Sequence, residues 1–389
     1  MENLIYLDNA ATSFPKPEAV YAFMDQFYRN NGASPGRSGY DLAMETGNLV
    51  ENTRKLLTNY FNCTDPNRLI FSANSTEALN LAIFGLLKPG DHVITTTLEH
   101  NAVLRPLYHQ SLYNGIEVTH IPFNETGFVD PQDFIPAFKE NTKLVVVNHA
   151  SNVIGTVQPV KEIGKLCREK GVTFLVDASQ TAGKMALDIQ DMNIDVIAFT
   201  GHKSLLGPTG IGGLYVGENV EIKHTRAGGT GVKSALRHHP EEYPYRLEYG
   251  TLNVIGISGL YAGLKWVLDQ GIEKIHHHEM ALTEQLRKGL SHIDNVIIYC
   301  AEDLENHIGV LSFNVKNFEA LDTGTMLDGD YNIACRTGLH CAPLVHEQIG
   351  TDKIHGTVRM GFGPFNTKTH VEEAIKAVSE IAEFSAGKV

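Results

Sequence analysis

The sequence predicts an α/β fold: a mostly parallel sheet with helices on both faces, followed by a smaller α+β lobe. From about Arg68 onward, short β-branched runs alternate with helical patterns, the signature of βαβ units. At 389 residues the chain exceeds the length over which one hydrophobic core keeps growing, so two lobes are expected. Apolar residues are 42% and charged residues 20% of the chain, the balance of a globular protein.

Taken in order, the strand candidates are "RLIFSAN", "HVITTTLEH", "VTHIPF", "KLVVVNHASN", "TFLVDASQ", "DVIAFTGHK" and "GGLYVG". Between the first two, "TEALNLAIFGLL" reads as a helix from Thr76, with Leu79, Ala82, Ile83, Leu86 and Leu87 on one stripe and "KPG" ending it. Asn74 and Glu77 have the spacing of a capping box. After Asn253 the pattern turns to longer helices, "GISGLYAGLKWVLDQG" and "IEKIHHHEMALTEQLRKGLSHI", then "HIGVLSFNV", "TVRMGF" and a terminal helix. Thr369 and Glu372 are placed to cap that last helix, whose stripe includes Val371, Ala374, Ile375 and Val378. The expected division is 1–15 as a segment packing with the small domain, 16–253 as the large domain and 254–389 as the small one. Consecutive residues on a helix point in different directions, so "IHHHE" reads as a solvated face, and no metal site is expected.

A net charge of −13 and a pI near 5.7 disfavour a nucleic-acid surface or an anionic membrane, leaving small molecules and proteins as expected partners. The opening lacks a basic segment followed by a long apolar run, and nowhere do eighteen apolar residues run uninterrupted, so a cytoplasmic location is expected. Cys63, Cys167, Cys300, Cys335 and Cys341 are scattered, without zinc-site pairing or the density of a disulfide scaffold.

In open α/β sheets ligands gather beyond the carboxyl ends of the strands. The polar residues of this chain gather there too: Ser75 and Thr76, Glu99 and His100, Asn152, Asp177 and Gln180, then Thr200, His202 and Lys203. Singly, each has a plain structural role, Ser75 as a cap, His100 as a donor to a loop carbonyl, Asp177 as a cap or ion-pair partner. Together they match one cofactor. Pyridoxal phosphate needs an amine for its aldehyde, a carboxylate for its pyridine nitrogen, donors for its phosphate and a ring against its face. Lys203 supplies the amine once burial and neighbours depress its pKa. Asp177 ends an apolar strand, where an unpaired charge is costly. The helix opening at Ser75 and Thr76 offers amides and hydroxyls to a phosphate, and Thr200 and His202 flank Gly201 beside it. "PTGIGG" resembles a dinucleotide fingerprint, but it precedes a strand where that motif needs a helix.

"YLDNAATSFPKP", "NSTEALN", "LEHNA", "HASNVIGT", "VDASQTAG", "TGHKSLLGPTGIGGLYV", "RTGLHCAP" and "VRMGFGPFNT" closely resemble, in this order and over nearly the whole chain, the class V aminotransferase group that contains cysteine desulfurases and selenocysteine lyases. The resemblance implies a pyridoxal-phosphate transferase of fold type I. It makes Lys203 the residue joined to the cofactor, His100 its ring partner, Asp177 the partner of its nitrogen and Gln180 of its phenolic oxygen. Ser75, Thr76, Thr200 and His202 surround the phosphate, and Asn152 assists at a substrate or cofactor oxygen. Arg359 resembles the arginine that holds the substrate carboxylate.

Cys341 by itself reads as a packing thiol. In "CRTGLHCAP" it lies in a loop beside His340 and near Arg336, and such positive neighbours lower a thiol pKa from about 8.5. By resemblance it is the nucleophile that takes sulfur from L-cysteine, leaving a persulfide and alanine, while Lys203 removes the Cα proton and His100 helps move protons. Its "RxGxHCA" pattern, eighteen positions before Arg359, is that of the second desulfurase group, whose short loop often depends on an acceptor protein. "YGTLN" resembles a segment whose Thr251 reaches the phosphate of the neighbouring subunit, which implies a homodimer, and Arg37 is a second candidate for such a contact. The alternatives are a selenocysteine lyase or another class V lyase or aminotransferase. Outside catalysis, the alternative is a scaffold subunit on the same fold.

Overall fold

The computed structural model describes residues 4–35 and 39–387. The chain begins with β1 (Ile5–Tyr6), α1 (Glu18–Asn31), α2 (Asp41–Tyr60), β2 (Leu69–Ser72), α3 (Ser75–Leu86), β3 (His92–Thr96), α4 (Asn101–Asn114) and β4 (Glu117–Ile121). It continues with α5 (Pro131–Phe134), β5 (Thr142–Asn148), α6 (Val160–Lys170), β6 (Thr173–Asp177), β7 (Val196–Thr200) and β8 (Gly212–Val216). Then come α7 (Val254–Gln270), α8 (Ile272–Ser291), β9 (Val296–Ile298), β10 (Val310–Val315) and α9 (Ala320–Tyr331). The last elements are β11 (Ile333–Ala334), β12 (Arg336–Gly338), α10 (Pro343–Gln348), β13 (Thr357–Gly361) and α11 (Lys368–Ala386).

Seven strands form one sheet in the order β2-β8-β7-β6-β5-β3-β4. Only β8 runs against its neighbours, so the carboxyl ends of the other six share one edge. Its strands are apolar runs because both faces are covered. Period-two geometry splits successive residues between two cores: Val145, Val147, Phe174, Val176, Ile197 and Phe199 face one side, and Leu144, Val146, Leu175, Val196 and Ala198 the other. Each fully buried aliphatic side chain stabilises by about 1.5–3 kcal/mol. Gly212 and Gly213 let β8 enter between β2 and β7: a Cβ at Gly212 would stand 2.9 Å from the Asn74 backbone, and one at Gly213 would meet the Ile70 carbonyl. The glycines thus bring the start of α3 up to the sheet edge.

The second unit is an antiparallel sheet, β12-β13-β10-β9, backed by α8, α9 and α11 through Leu282, Leu286, Val358, Met360, Val371 and Val378. The N-terminal segment joins it, β1 pairing in parallel with β11 and Leu7 entering its core. The expected break at 253/254 falls ahead of α7, yet Ile257, Leu260 and Leu264 lie in the core of the large sheet. That helix belongs with the large unit, because its apolar surface has the sheet-backing residues to bury against. A buried Lys184–Glu279 ion pair, with Lys184 also donating to the Phe362 carbonyl at 3.2 Å, ties the units together.

Helix starts differ in detail from the sequence reading. Asn74 caps α3 through the Glu77 amide at 2.9 Å, but the Glu77 carboxylate returns to the Ala73 amide at 2.7 Å, one residue early for a capping box. The box on α11 uses Thr367 and His370, not Thr369 and Glu372. In "IHHHE" the solvated-face reading fails at its ends: Ile275 and Glu279 are buried and His278 Nε2 donates to the Asn366 carbonyl at 2.9 Å. Among the described residues no His, Cys, Asp and Glu cluster suits a metal ion, and no helix is long and apolar enough to cross a membrane.

Candidate active site

The carboxyl edge of the large sheet faces the β12–β13 hairpin across a cavity of ≈ 180 Å3. Ser75, Thr76, His100, Asn152, Asp177, Gln180, Thr200, His202, Lys203 and Arg359 all line it. Register explains the grouping, since Asp177 ends β6 opposite Asn148 of β5 and Ala198 of β7, and Thr200 ends β7. Asp177 Oδ1 accepts from the Ser179 amide at 2.9 Å and from Ser75 Oγ at 3.4 Å. Gln180 Nε2 donates to the Ala10 carbonyl at 3.0 Å.

Helix α3 has the geometry of an anion site. The Glu77 amide is taken by Asn74 Oδ1 and the Ala78 amide by the Asn74 carbonyl, so among the described residues the amides of Ser75 and Thr76 are its open donors. Nearby, Thr200 Oγ1, His202 Nδ1 and Asn152 Oδ1 are buried without a partner among the described residues. Buried polar atoms are ordinarily satisfied, so these three mark where a polar group belongs.

Burial sets the protonation states. Lys203 is partly exposed, toward the cavity it lines, and desolvation outweighs the Asp177 charge to bring its pKa down to about 8. His100 is brought down to about 4 by burial and by the Lys203 charge. Its Nδ1 accepts from the Ala102 amide at 3.0 Å as the cap of α4, which assigns the proton to Nε2. His202 is likewise pushed down to about 4, by burial and then by Lys203 and Lys16. With its histidines neutral, the described lining carries Lys203, Arg336 and Arg359 against one carboxylate, Asp177. Such an excess of cations suits an anionic guest.

Cys341 lies at the hairpin edge of this cavity, outside its lining, and Arg336 Nη2 donates to its sulfur at 3.3 Å. A sulfur anion there has a cationic partner. The sequence reading gave His340 the same role, and the structure overturns that. The His340 ring is buried, donates from Nε2 to the Thr357 carbonyl at 3.0 Å and is held well below its ordinary pKa by desolvation, so it is neutral. His340 and Cys341 both take left-handed backbone, at φ 49° and 60°, which costs on the order of 1 kcal/mol or more each. Asn152 Nδ2 bonding the His340 carbonyl and the Asn101 amide bonding the Cys341 carbonyl, both at 2.7 Å, hold this turn.

Thr251 is not brought to the cavity. It is exposed and lines a different one, ≈ 580 Å3, with Gly250, Arg54 and Glu248. Arg37 lies outside the described residues. Sequence reasoning missed Asp8, whose Oδ1 accepts from Arg359 Nη2 at 2.8 Å, and Ser179 beside Asp177. The signal for Asp8 was within "YLDNAAT", an acid between an apolar pair and an asparagine, to which no role was given.

A sheet with one reversed strand, an aspartate ending β6 and a lysine in the turn after β7 defines the fold-type I class of pyridoxal-phosphate-dependent transferases. The chain belongs to the class-V aminotransferase family, whose sequence model matches residues 5–373. A probable cysteine desulfurase of Pyrococcus abyssi is 35% identical over 98% of this chain and 95% of the relative, and one of Methanothermobacter thermautotrophicus 34% identical over 97% and 94%. Among solved structures, the apo cysteine desulfurase of Thermococcus onnurineus superposes with TM-score 0.92 at 33% identity, covering 98% of this chain and 95% of that one. The Escherichia coli cysteine desulfurase CsdA gives 0.88 at 29% identity, with coverage of 98% and 95%.

Proposed function

We propose that the chain is a pyridoxal-phosphate-dependent cysteine desulfurase that moves sulfur from L-cysteine to Cys341. The observation that carries this is the pairing of a desolvated lysine and an aspartate at the sheet edge with an arginine-held cysteine across the same cleft.

The residues fit the cofactor. Ser75, Thr76, Thr200 and His202 would hold its phosphate, Asp177 its ring nitrogen, Gln180 and Asn152 its oxygen side and His100 its ring face. Three of the unpartnered atoms, Thr200 Oγ1, His202 Nδ1 and Asn152 Oδ1, are groups this assignment uses. When bound, pyridoxal phosphate supplies an aldehyde carbon for an amine and an electron sink for Cα. Arg359 binds the substrate carboxylate through the N–H groups not given to Asp8 and Asn152. Lys203, with a pKa near 8, takes the Cα proton at a neutral amine and holds it as the ammonium for return to carbon, with neutral His100 beside it in the lining. The Cys341 sulfur attacks the substrate sulfur: an S–S bond forms, the Cβ–S bond breaks and its electron pair stays with carbon. Cβ gains a proton and Cα regains the one Lys203 took, giving alanine and a persulfide on Cys341.

Thr251 is exposed and away from its own chain's Lys203, which suits donation to a neighbour's phosphate in a homodimer, and an acceptor protein removes the persulfide. The test is purified holoenzyme with L-cysteine and a reductant. Equal alanine and sulfide are expected, whereas pyruvate with ammonia would mean a lyase. Cys341→Ala should lose turnover on cysteine and keep the bound cofactor's colour. Undiminished desulfuration by that variant would refute the persulfide role.

A further inference from the structure

Arg359 is 1% exposed, and a guanidinium with five donors needs fixed acceptors to keep one aim. Nη1 donates to the Asn152 carbonyl at 2.9 Å and Nη2 to Asp8 Oδ1 at 2.8 Å, while Nε has no partner among the described residues. Asp8 is itself pinned by its backbone, through a bridge to Gly361 two residues beyond Arg359 and a 3.0 Å bond from the Ala11 amide to its carbonyl. The same segment reaches the lysine turn. The Ser13 amide and Thr12 Oγ1 donate to the His202 carbonyl at 3.1 Å each, Lys16 Nζ donates there at 2.6 Å, and Ser13 Oγ donates to the Lys203 carbonyl at 2.8 Å.

We propose that Asp8 is a positioning residue, the acceptor that aims Arg359 at the substrate carboxylate from a strap whose other end fixes the Lys203 turn. This rests on the desulfurase reading above. Asp8 and Asn152 occupy two edges of the guanidinium, leaving its remaining donors a single orientation at the cavity wall. Without Asp8 the cation keeps one acceptor and faces Arg336, its cross-strand neighbour, whose like charge repels it. The loss falls on recognition of a carboxylate, and chemistry at Cα is spared.

The test titrates holoenzyme spectroscopically with L-alanine and with ethylamine, the same molecule without its carboxylate. Asp8→Ala is expected to weaken L-alanine binding and raise the KM for cysteine about tenfold or more, since removing the charged acceptor of a buried guanidinium is costly. Ethylamine binding and kcat should change little, and Asp8→Asn, which keeps an acceptor in place, should recover part of the loss. If Asp8→Ala fails to fold, Asp8→Asn carries the test, with a smaller loss again confined to L-alanine. Arg359→Ala is the control. If that variant discriminates the two probes while the Asp8 variants do not, the positioning role is overturned and the desulfurase reading stands. If Arg359→Ala weakens both probes equally, the carboxylate role of Arg359 falls and takes the inference with it. Equal loss of both probes in Asp8→Ala also overturns the proposal, since it marks general distortion of the site.

Discussion

The two rims of the cavity are built in opposite ways. On the sheet side burial suppresses charge: His100 and His202 are neutral and Lys203 is brought down to about 8, while Glu99, buried behind the lining, is pushed up to about 8. On the hairpin side two guanidiniums stay charged at any working pH, one against Cys341 and one against Asp8. One rim can exchange protons near neutrality, and the other can hold anions. The contrast teaches a division of labour, with strand ends tuned by desolvation and a loop kept in place by fixed charge.

The largest effect expected from breaking this contrast is at Lys203. Lys203→Ala should lose covalent cofactor attachment and turnover by on the order of 10³-fold or more. A Lys203→Ala protein that still bound cofactor covalently and turned over normally would erase the distinction from Cys341→Ala, which should keep colour. Next is the pH dependence of loading. The nucleophile is the neutral amine, so capture of pyridoxal phosphate by apoprotein should climb about tenfold per pH unit up to about 8 and then level, as the depressed pKa requires. A rate still climbing toward the ordinary lysine value of 10.5 would show that the sheet rim is not desolvated.

The smallest effect concerns Glu99, fully buried, with Oε1 accepting from Thr96 Oγ1 at 2.8 Å and the Asn148 amide at 3.0 Å. Its folded pKa of about 8 stands above the unfolded value of 4.5. Between those values the folded state holds a proton that the unfolded state has released, so stability falls as pH rises through that window. Glu99→Gln should therefore gain melting temperature over the parent from pH 5 to pH 9, most at the alkaline end. A gap independent of pH would mean that Glu99 ionises freely.

What the sequence disclosed follows the same division. Lys203 and Asp177 were legible because an apolar strand ending in a charge has few structural excuses, and parallel strands bring such ends together. The hairpin rim was less so. His340 was read as a cation from its place beside Cys341, but burial keeps it neutral, with its ring held against Thr357, seventeen residues on and across the sheet. Asp8 meets Arg359 over 351 positions, and no local periodicity encodes that. The cap of α11 was placed at Thr369, two residues late, because a threonine also stands there and only the return bond of His370 selects Thr367. Helix α7 was assigned to the small unit because the change of pattern begins there, whereas membership is decided by which core its apolar surface enters.

The amide of Asn101, the first residue of α4, would ordinarily be left to water or an ion, but it is spent on the Cys341 carbonyl. A turn stitched to the opening of a helix is no swinging arm, so on the proposed reading sulfur held by Cys341 would be collected by a recipient that comes to the doorway.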